Sequence, residues 1–206
     1  MKTLFIAGGS ASGKSVLAGL VADALAKRGR AATVLRQDSF YADRPESVDG
    51  SDRHHFDFDV PAAIDWAAMA EVIETLRGGQ AAAVPLYDFT VSKRVGTEPL
   101  TPVGDILLVD GTLVLHAPEL RLLRDHAVYV RAPQPLRRAR RMRRDVDARG
   151  RDPDDITRQL DTQVFPAHDR FVRPSAAHAD LVLDADAIMT REAECVGRVL
   201  ALVSAA

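Results

Sequence analysis

The 206-residue sequence predicts an α/β fold with a mostly parallel sheet, and three observations carry that expectation. Short apolar strands alternate with amphipathic helical stretches along the chain. A glycine-rich segment from Gly8 to Ser15, fitting G-x-x-x-x-G-K-[ST], lies between the first strand and the first helix. Farther on, the buried-type strand 106–109 ends in an acid, Asp110. An apolar share of 47% is ample for one core, so a single domain over residues 1–206 is expected.

The elements follow in order. Residues 3–7 are an apolar strand leading into Gly8, Gly9, Ser10, Ala11, Ser12, Gly13, Lys14 and Ser15. The glycines let successive backbone N–H groups turn inward, and the positive end of the next helix adds attraction for phosphate oxygens. In such a P-loop Lys14 reaches the terminal phosphates, the Ser15 hydroxyl ligates magnesium, and Val16, at the start of the helix, joins the loop residues in binding the nucleotide. That helix runs from about 15 to 28, with Val16, Leu17, Leu20, Val21 and Leu25 on its apolar side and Gly29 as its stop. Residues 32–35 form the next strand and deliver Asp38 beyond its carboxyl end, where ligands gather in parallel sheets. A carboxylate there can take a hydroxyl proton during attack on phosphorus; capping a nearby helix is the competing reading.

Residues 42–59 are polar and aperiodic, a loop over the sheet in which His54 and His55 are a solvated pair. Pro61 begins a helix to about Leu76, with Ile64, Ala67, Ala68, Val72 and Leu76 as its stripe. Residues 81–100, with proline near both ends, read as a small β insertion in which Tyr87 and Asp88 offer a ring beside a carboxylate. Asp110 then stands where a strand-end acid joins a magnesium shell. Residues 128–130 are another strand. Pro135 opens a helix bearing Arg137, Arg138, Arg140, Arg141, Arg143 and Arg144, and the basic run reaches Arg151. So many like charges call for an anionic ligand; polyphosphate fits better than RNA, since no aromatic residues interleave the arginines. Pro153 starts a helix to about Val164, Pro166 breaks or kinks it, and Pro174 ends the segment; a strand at 181–183 and a helix at 187–203 close the chain.

Charge and composition bound the partners. A net charge of −2 argues against a general nucleic-acid surface, and the lone Cys195 excludes an intrachain disulfide framework, packing instead in the last helix. With neither a leader pattern nor a membrane-length apolar run, a soluble cytoplasmic protein is expected, with no membrane partner.

Taken together, the motifs resemble those of the uridine kinase and phosphoribulokinase family of P-loop kinases, most closely the uridine-cytidine kinases. Gly8 to Ser15 is similar to the family's GGSASGK[ST], residues 37–41 to its QDSFY, and residues 58–61 to its FDHP. Residues 85–89 resemble its P-x-YDF, and residues 140–152 its arginine-rich lid. The resemblance implies a three-layer P-loop fold with a lid at about 137–152, and ATP and Mg2+ as cofactors. By the same resemblance Asp38 is the base for a ribose 5′-hydroxyl and Asp59 holds the ribose hydroxyls. Tyr41, Tyr87, Arg141, Arg151 and Gln159 contact the nucleoside, while Arg144 and Arg149 belong to the lid over ATP. Catalysis would rest on Asp38, Lys14 and Arg144, and magnesium on Ser15 and Asp110, the latter replacing the family's usual Glu. Ser92 stands where members that read uracil or cytosine carry His, and Asp184-Ala185-Asp186 replaces a PRGG-like segment. The expected activity is ATP-dependent phosphorylation of the 5′-hydroxyl of uridine or cytidine. A kinase for another small hydroxyl compound (a different riboside, a sugar or pantothenate), or a non-catalytic nucleotide-binding regulator, are the alternatives. Homo-oligomer formation is left open.

Overall fold

The computed structural model describes residues 1–43, 57–89 and 91–204. The expected His54 and His55 pair lies outside them. Five strands, β1 (Lys2–Gly8), β2 (Ala32–Arg36), β5 (Ile106–Gly111), β6 (His126–Arg131) and β7 (Leu181–Asp184), form a parallel sheet in the order β2-β5-β1-β6-β7. The three central strands, β1, β5 and β6, are buried on both faces, which is why they read as continuous apolar runs. The pleat divides them cleanly. Phe5, Ala7, Leu107 and Val109 face a core closed by helix α2 (Trp66–Arg77) and the 3-10 segment Pro118–Leu123. Leu4, Ile6, Ile106 and Leu108 face the opposite core, closed by α1 (Lys14–Ala26) and the helix Glu192–Ser204, whose Cys195 is buried there as expected. This three-layer arrangement brings the carboxyl ends of β1, β2 and β5 to one edge.

The expected β insertion is a two-stranded antiparallel sheet, β3 (Ala82–Asp88) with β4 (Lys93–Leu100), apart from the parallel sheet. Three sequence expectations need correction. The helix expected from Pro61 is interrupted: a 3-10 turn Pro61–Ala63 buries Ala63 and Ile64, then Asp65 caps α2 by accepting from the Ala68 N–H at 3.0 Å, and Ala67 is exposed. Pro166 does not break its helix. From α4 (Pro153–Gln159) the chain stays helical to Ser175, passing through π-type turns at Leu160–Val164 and His168–Val172. The wider turns flank Pro166 and absorb its missing donor, while Ile156, Leu160, Val164 and Phe165 hold the rod together. Finally, the closing helix is two helices, Ala185–Thr190 and Glu192–Ser204, divided at Arg191, whose φ of −135° is not helical. Among the described residues no helix is long and apolar enough to cross a membrane.

Candidate active site

The loop after β1 has the backbone its glycines allow. Gly13 adopts φ 101° at the start of α1, a left-handed conformation that an L side chain would strain, and Ser12 N–H donates to the Gly9 carbonyl at 3.0 Å. A Cβ at Gly9 would lie 2.6 Å from Arg137 Nη1 and 2.8 Å from His168 Nδ1, so only glycine lets these side chains pack against the loop. Arg137 is buried, stacked 5.2 Å from the Phe165 ring, and burial lowers its pKa. Burial and the neighbouring Arg137 charge push His168 down to about 4, so its imidazole is neutral at pH 7.

A cavity of about 450 Å³ opens over the loop, lined by residues 11–16 together with Arg140, Arg144, Ala185, Ile188 and Met189. Val16, expected on the core side of α1, is instead 52% exposed and forms part of this wall. The lining combines cationic side chains and the loop backbone with apolar side chains. That combination suits a polyphosphate carrying a flat apolar group.

Asp110 ends β5 beside α1. Burial raises its pKa, against the Lys14 charge and a hydrogen bond from Ser15, and its Oδ1 is buried with no hydrogen-bond partner among the described residues. A carboxylate oxygen without a donor, next to a serine hydroxyl, fits a hard divalent cation. Asp38 lies exposed on the 3-10 turn Gln37–Phe40 that follows β2, and its charge acts on Asp110, Asp59 and Tyr41. Gln37 anchors that turn by accepting from the Leu113 N–H at 2.8 Å.

Beyond Asp38 is an aromatic and acidic wall. The Tyr41 ring meets Phe58, Tyr87 and Phe89 at centroid distances of 5.4, 5.5 and 5.7 Å. Burial, then the charges of Asp38 and Asp59, raise the Tyr41 phenol well above its ordinary value. Asp59 is pushed up to about 6, first by burial, with Arg141 opposing and Asp57 and Asp38 reinforcing the shift. Arg94 ties this wall to the insertion: its guanidinium donates to the Tyr41 carbonyl at 3.1 Å and pairs with Asp65 at 3.0 Å. Ser92 is buried in the turn between β3 and β4 with φ 55°, a left-handed conformation that fits it to the turn.

Helix α3 (Gln134–Asp147) carries the arginine run. Its positive charge is compensated within the protein more than the run itself suggests, because two acids close the same helix and a third comes from a later turn. Arg138 pairs with Asp161 and Arg143 with Asp147, while Asp145, fully buried, takes four guanidiniums. Arg144 and Arg149 lie 2.8 and 3.3 Å from its Oδ1; Arg141 and Arg151 lie 3.3 and 3.5 Å from its Oδ2. Burial pushes the Asp145 carboxyl up, but the Arg144 hydrogen bond and the surrounding arginine charges outweigh it, and its pKa falls below the ordinary value. Arg141 also donates to Ser10 Oγ at 2.7 Å and to Gln159 Oε1 at 3.1 Å, which accepts from Arg151 as well.

The structure therefore gathers the loop, Val16 and Arg144 at the cavity, and Tyr41, Asp59 and Tyr87 at the wall beyond Asp38. Arg141, Arg151 and Gln159 form a linked set, and Arg149 joins it through Asp145. Sequence reasoning missed Asp145, Ile188 and Met189 as site features. A single acid four residues after Arg141, at helical spacing, was the available signal for Asp145.

Comparisons with known proteins agree with this architecture. The family model of the phosphoribulokinase / uridine kinase family matches residues 4–189. A uridine kinase of Vibrio atlanticus (strain LGP32) is 33% identical over 181 residues, covering 86% of this chain and 84% of that protein. Uridine kinase-like protein 3 of Arabidopsis thaliana is 34% identical over 180 residues, covering 86% of this chain; the chain spans only 38% of that relative's length. The crystal structure of phosphoribulokinase from Rhodobacter spheroides superposes with a TM-score of 0.65 at 15% identity, covering 89% of this chain and 70% of that one, a likeness of fold. Fold and site thus define a chain with the P-loop kinase fold. The chain belongs to the phosphoribulokinase / uridine kinase family.

Proposed function

We propose that the protein transfers the γ-phosphate of ATP, with Mg2+, to the 5′-hydroxyl of uridine or cytidine. The observation that carries this reading is the convergence of Lys14 and Ser15, which line the cavity, with Asp110, which feels the Lys14 charge, accepts a hydrogen bond from Ser15 and lies within reach of the Asp38 charge. The relatives named as uridine kinases support the choice of acceptor.

The loop amides, Lys14 and Arg144 would bind and orient the triphosphate, and Ala185, Ile188 and Met189 would cover the base. Magnesium, held by Ser15 and Asp110, would supply charge neutralisation at the phosphoryl oxygens. Asp59 would accept from the ribose hydroxyls, and Tyr41 and Tyr87 would stack near the pyrimidine. Asp38, beyond the strand ends and open to the acceptor, would take the proton of the attacking hydroxyl. Four arginines around one carboxylate leave excess positive charge, and Arg141, bonded to Ser10, and Arg144, in the cavity lining, would bring it to the loop where phosphoryl charge would move during transfer.

One observation favours a second acceptor class. Ser92 is buried with φ 55° in the hairpin turn, so its short side chain is tied to the turn's geometry, and a small sugar or another riboside would need no pyrimidine reader there. The test is ATP consumption by purified protein with Mg2+ across uridine, cytidine, other ribosides, pantothenate and simple sugars. Turnover on uridine or cytidine is expected; turnover confined to another acceptor would replace the substrate, and none on the panel would overturn the reading.

A further inference from the structure

The Asp145 carboxylate does more than neutralise one neighbour. Its Oδ1 faces Arg144, which lines the cavity, and its Oδ2 faces Arg141, whose charge acts on Asp59 and Tyr41 at the opposite wall. Arg149 and Arg151 complete the two pairs, and Gln159 ties Arg141 to Arg151 by accepting from both. Asp145 itself is fully buried, held in α3, and cannot move to follow either partner. One negative charge is thus divided among four guanidiniums, of which Arg144 lines the cavity and Arg141 acts on the acidic wall. We propose that Asp145 is a positioning residue that couples the two substrate sites, holding Arg144 of the one through Oδ1 and Arg141 of the other through Oδ2.

The physical reason is competition for a single charge. An anionic phosphate in the cavity draws Arg144 away from Oδ1, since a phosphate offers more charge and more acceptor oxygens than a carboxylate already shared four ways. The carboxylate then interacts more strongly with Arg141 and Arg151, and the Ser10–Arg141–Gln159–Arg151 chain of hydrogen bonds becomes better fixed. A fixed Arg141 costs the acceptor less ordering on arrival, so donor and acceptor each bind tighter in the other's presence. Linkage makes the factor the same in both directions, and a change of about fivefold is expected from a rearrangement of this size.

This inference rests on the nucleotide and acceptor surfaces proposed above, and its test separates the two. Arginine Nε–H resonances of the full chain are followed by NMR while a non-hydrolysable ATP analogue, with Mg2+, is added. In the wild type the signals of both Arg144 and Arg141 should move. In Asp145→Asn the Arg144 signal should still move and the Arg141 signal should not. Uridine titrations should show binding about fivefold tighter with the analogue present in the wild type, and no such gain in the variant. Should Asp145→Asn fail to fold, Arg144→Gln cuts the same link from the other end, and the Arg141 signal should again be silent. An Arg141 response that persists in either variant, or is absent from the wild type, overturns the coupling. A wild type that binds the analogue but not uridine contradicts the proposed acceptor alone, and the arginine signals still decide the coupling. A wild type that binds no analogue overturns the nucleotide reading and the coupling together.

Discussion

Lowering the pH from 7 to 5 should cost the enzyme most of its acceptor affinity through one group, Asp59. Burial is the main cause of its shift, and its pKa reaches about 6. Ribose hydroxyls donate best to the ionised carboxylate, so binding requires the deprotonated form. With that pKa the carboxylate fraction is about 90% at pH 7 and about 10% at pH 5. The kcat/KM for uridine at saturating ATP, which reports the ATP-bound enzyme before uridine binds, should therefore fall about tenfold across that range with a midpoint near 6. Stability moves in the opposite direction. A carboxyl whose folded pKa lies above its unfolded value of 3.8 contributes stability below about 4, and that contribution is lost as pH rises through 6. Asp59→Asn should therefore raise the thermal midpoint at pH 7, leave it little changed at pH 4, and weaken acceptor binding at pH 7 but little at pH 4, where the wild-type carboxyl is already protonated. The assay is initial rate at subsaturating uridine and saturating ATP from pH 4.5 to 8, beside thermal melts of both proteins. A profile flat through pH 6, or an Asp59→Asn protein destabilised at pH 7, would refute the reasoning.

Two further outcomes follow from the same geometry. Asp110→Asn removes the charge beside Ser15 and should raise the Mg2+ concentration for half-maximal rate by about tenfold or more, read from rate against free Mg2+; an unchanged requirement would move the metal elsewhere. Gly104 has φ 70° and its Cβ would stand 1.9 Å from the Ala31 carbonyl oxygen, a backbone atom that cannot step aside. Gly104→Ala should destabilise the fold by roughly 2–4 kcal/mol by chemical denaturation while leaving kcat/KM of the folded fraction intact, because the position lies at the far end of β5 from the loop.

Most of the frame was legible because the signals were local. Gly8 to Ser15 carries its own backbone demands, and strands buried on both faces are continuous apolar runs, so β1 and β5 could be read directly. Pro166 misled because a lone proline is costly in a regular helix, whereas π-type turns on either side supply the room it needs. Val16 reads from the sequence both on the apolar side of the helix and at the nucleotide; its exposure corrects the first reading, since the start of the helix stands at the cavity wall rather than over the core. The arginine run misled in its charge balance. Asp161 is distant in sequence from Arg138, and only folding of α4 and its continuation against α3 brings them together. Met189 and Ile188 carried no signal, since apolar residues in a closing helix read as packing until the cavity beside the loop is seen.

Transfer to a hydroxyl with Asp38 as the base is tested most directly by the mass and phosphorylated position of the product made from ATP and uridine, in the wild type and in Asp38→Asn. The account predicts uridine 5′-monophosphate from the wild type. In Asp38→Asn it predicts a turnover reduced by about 10²-fold or more, with ATP binding nearly intact. Full activity in that variant would contradict the assignment of the base.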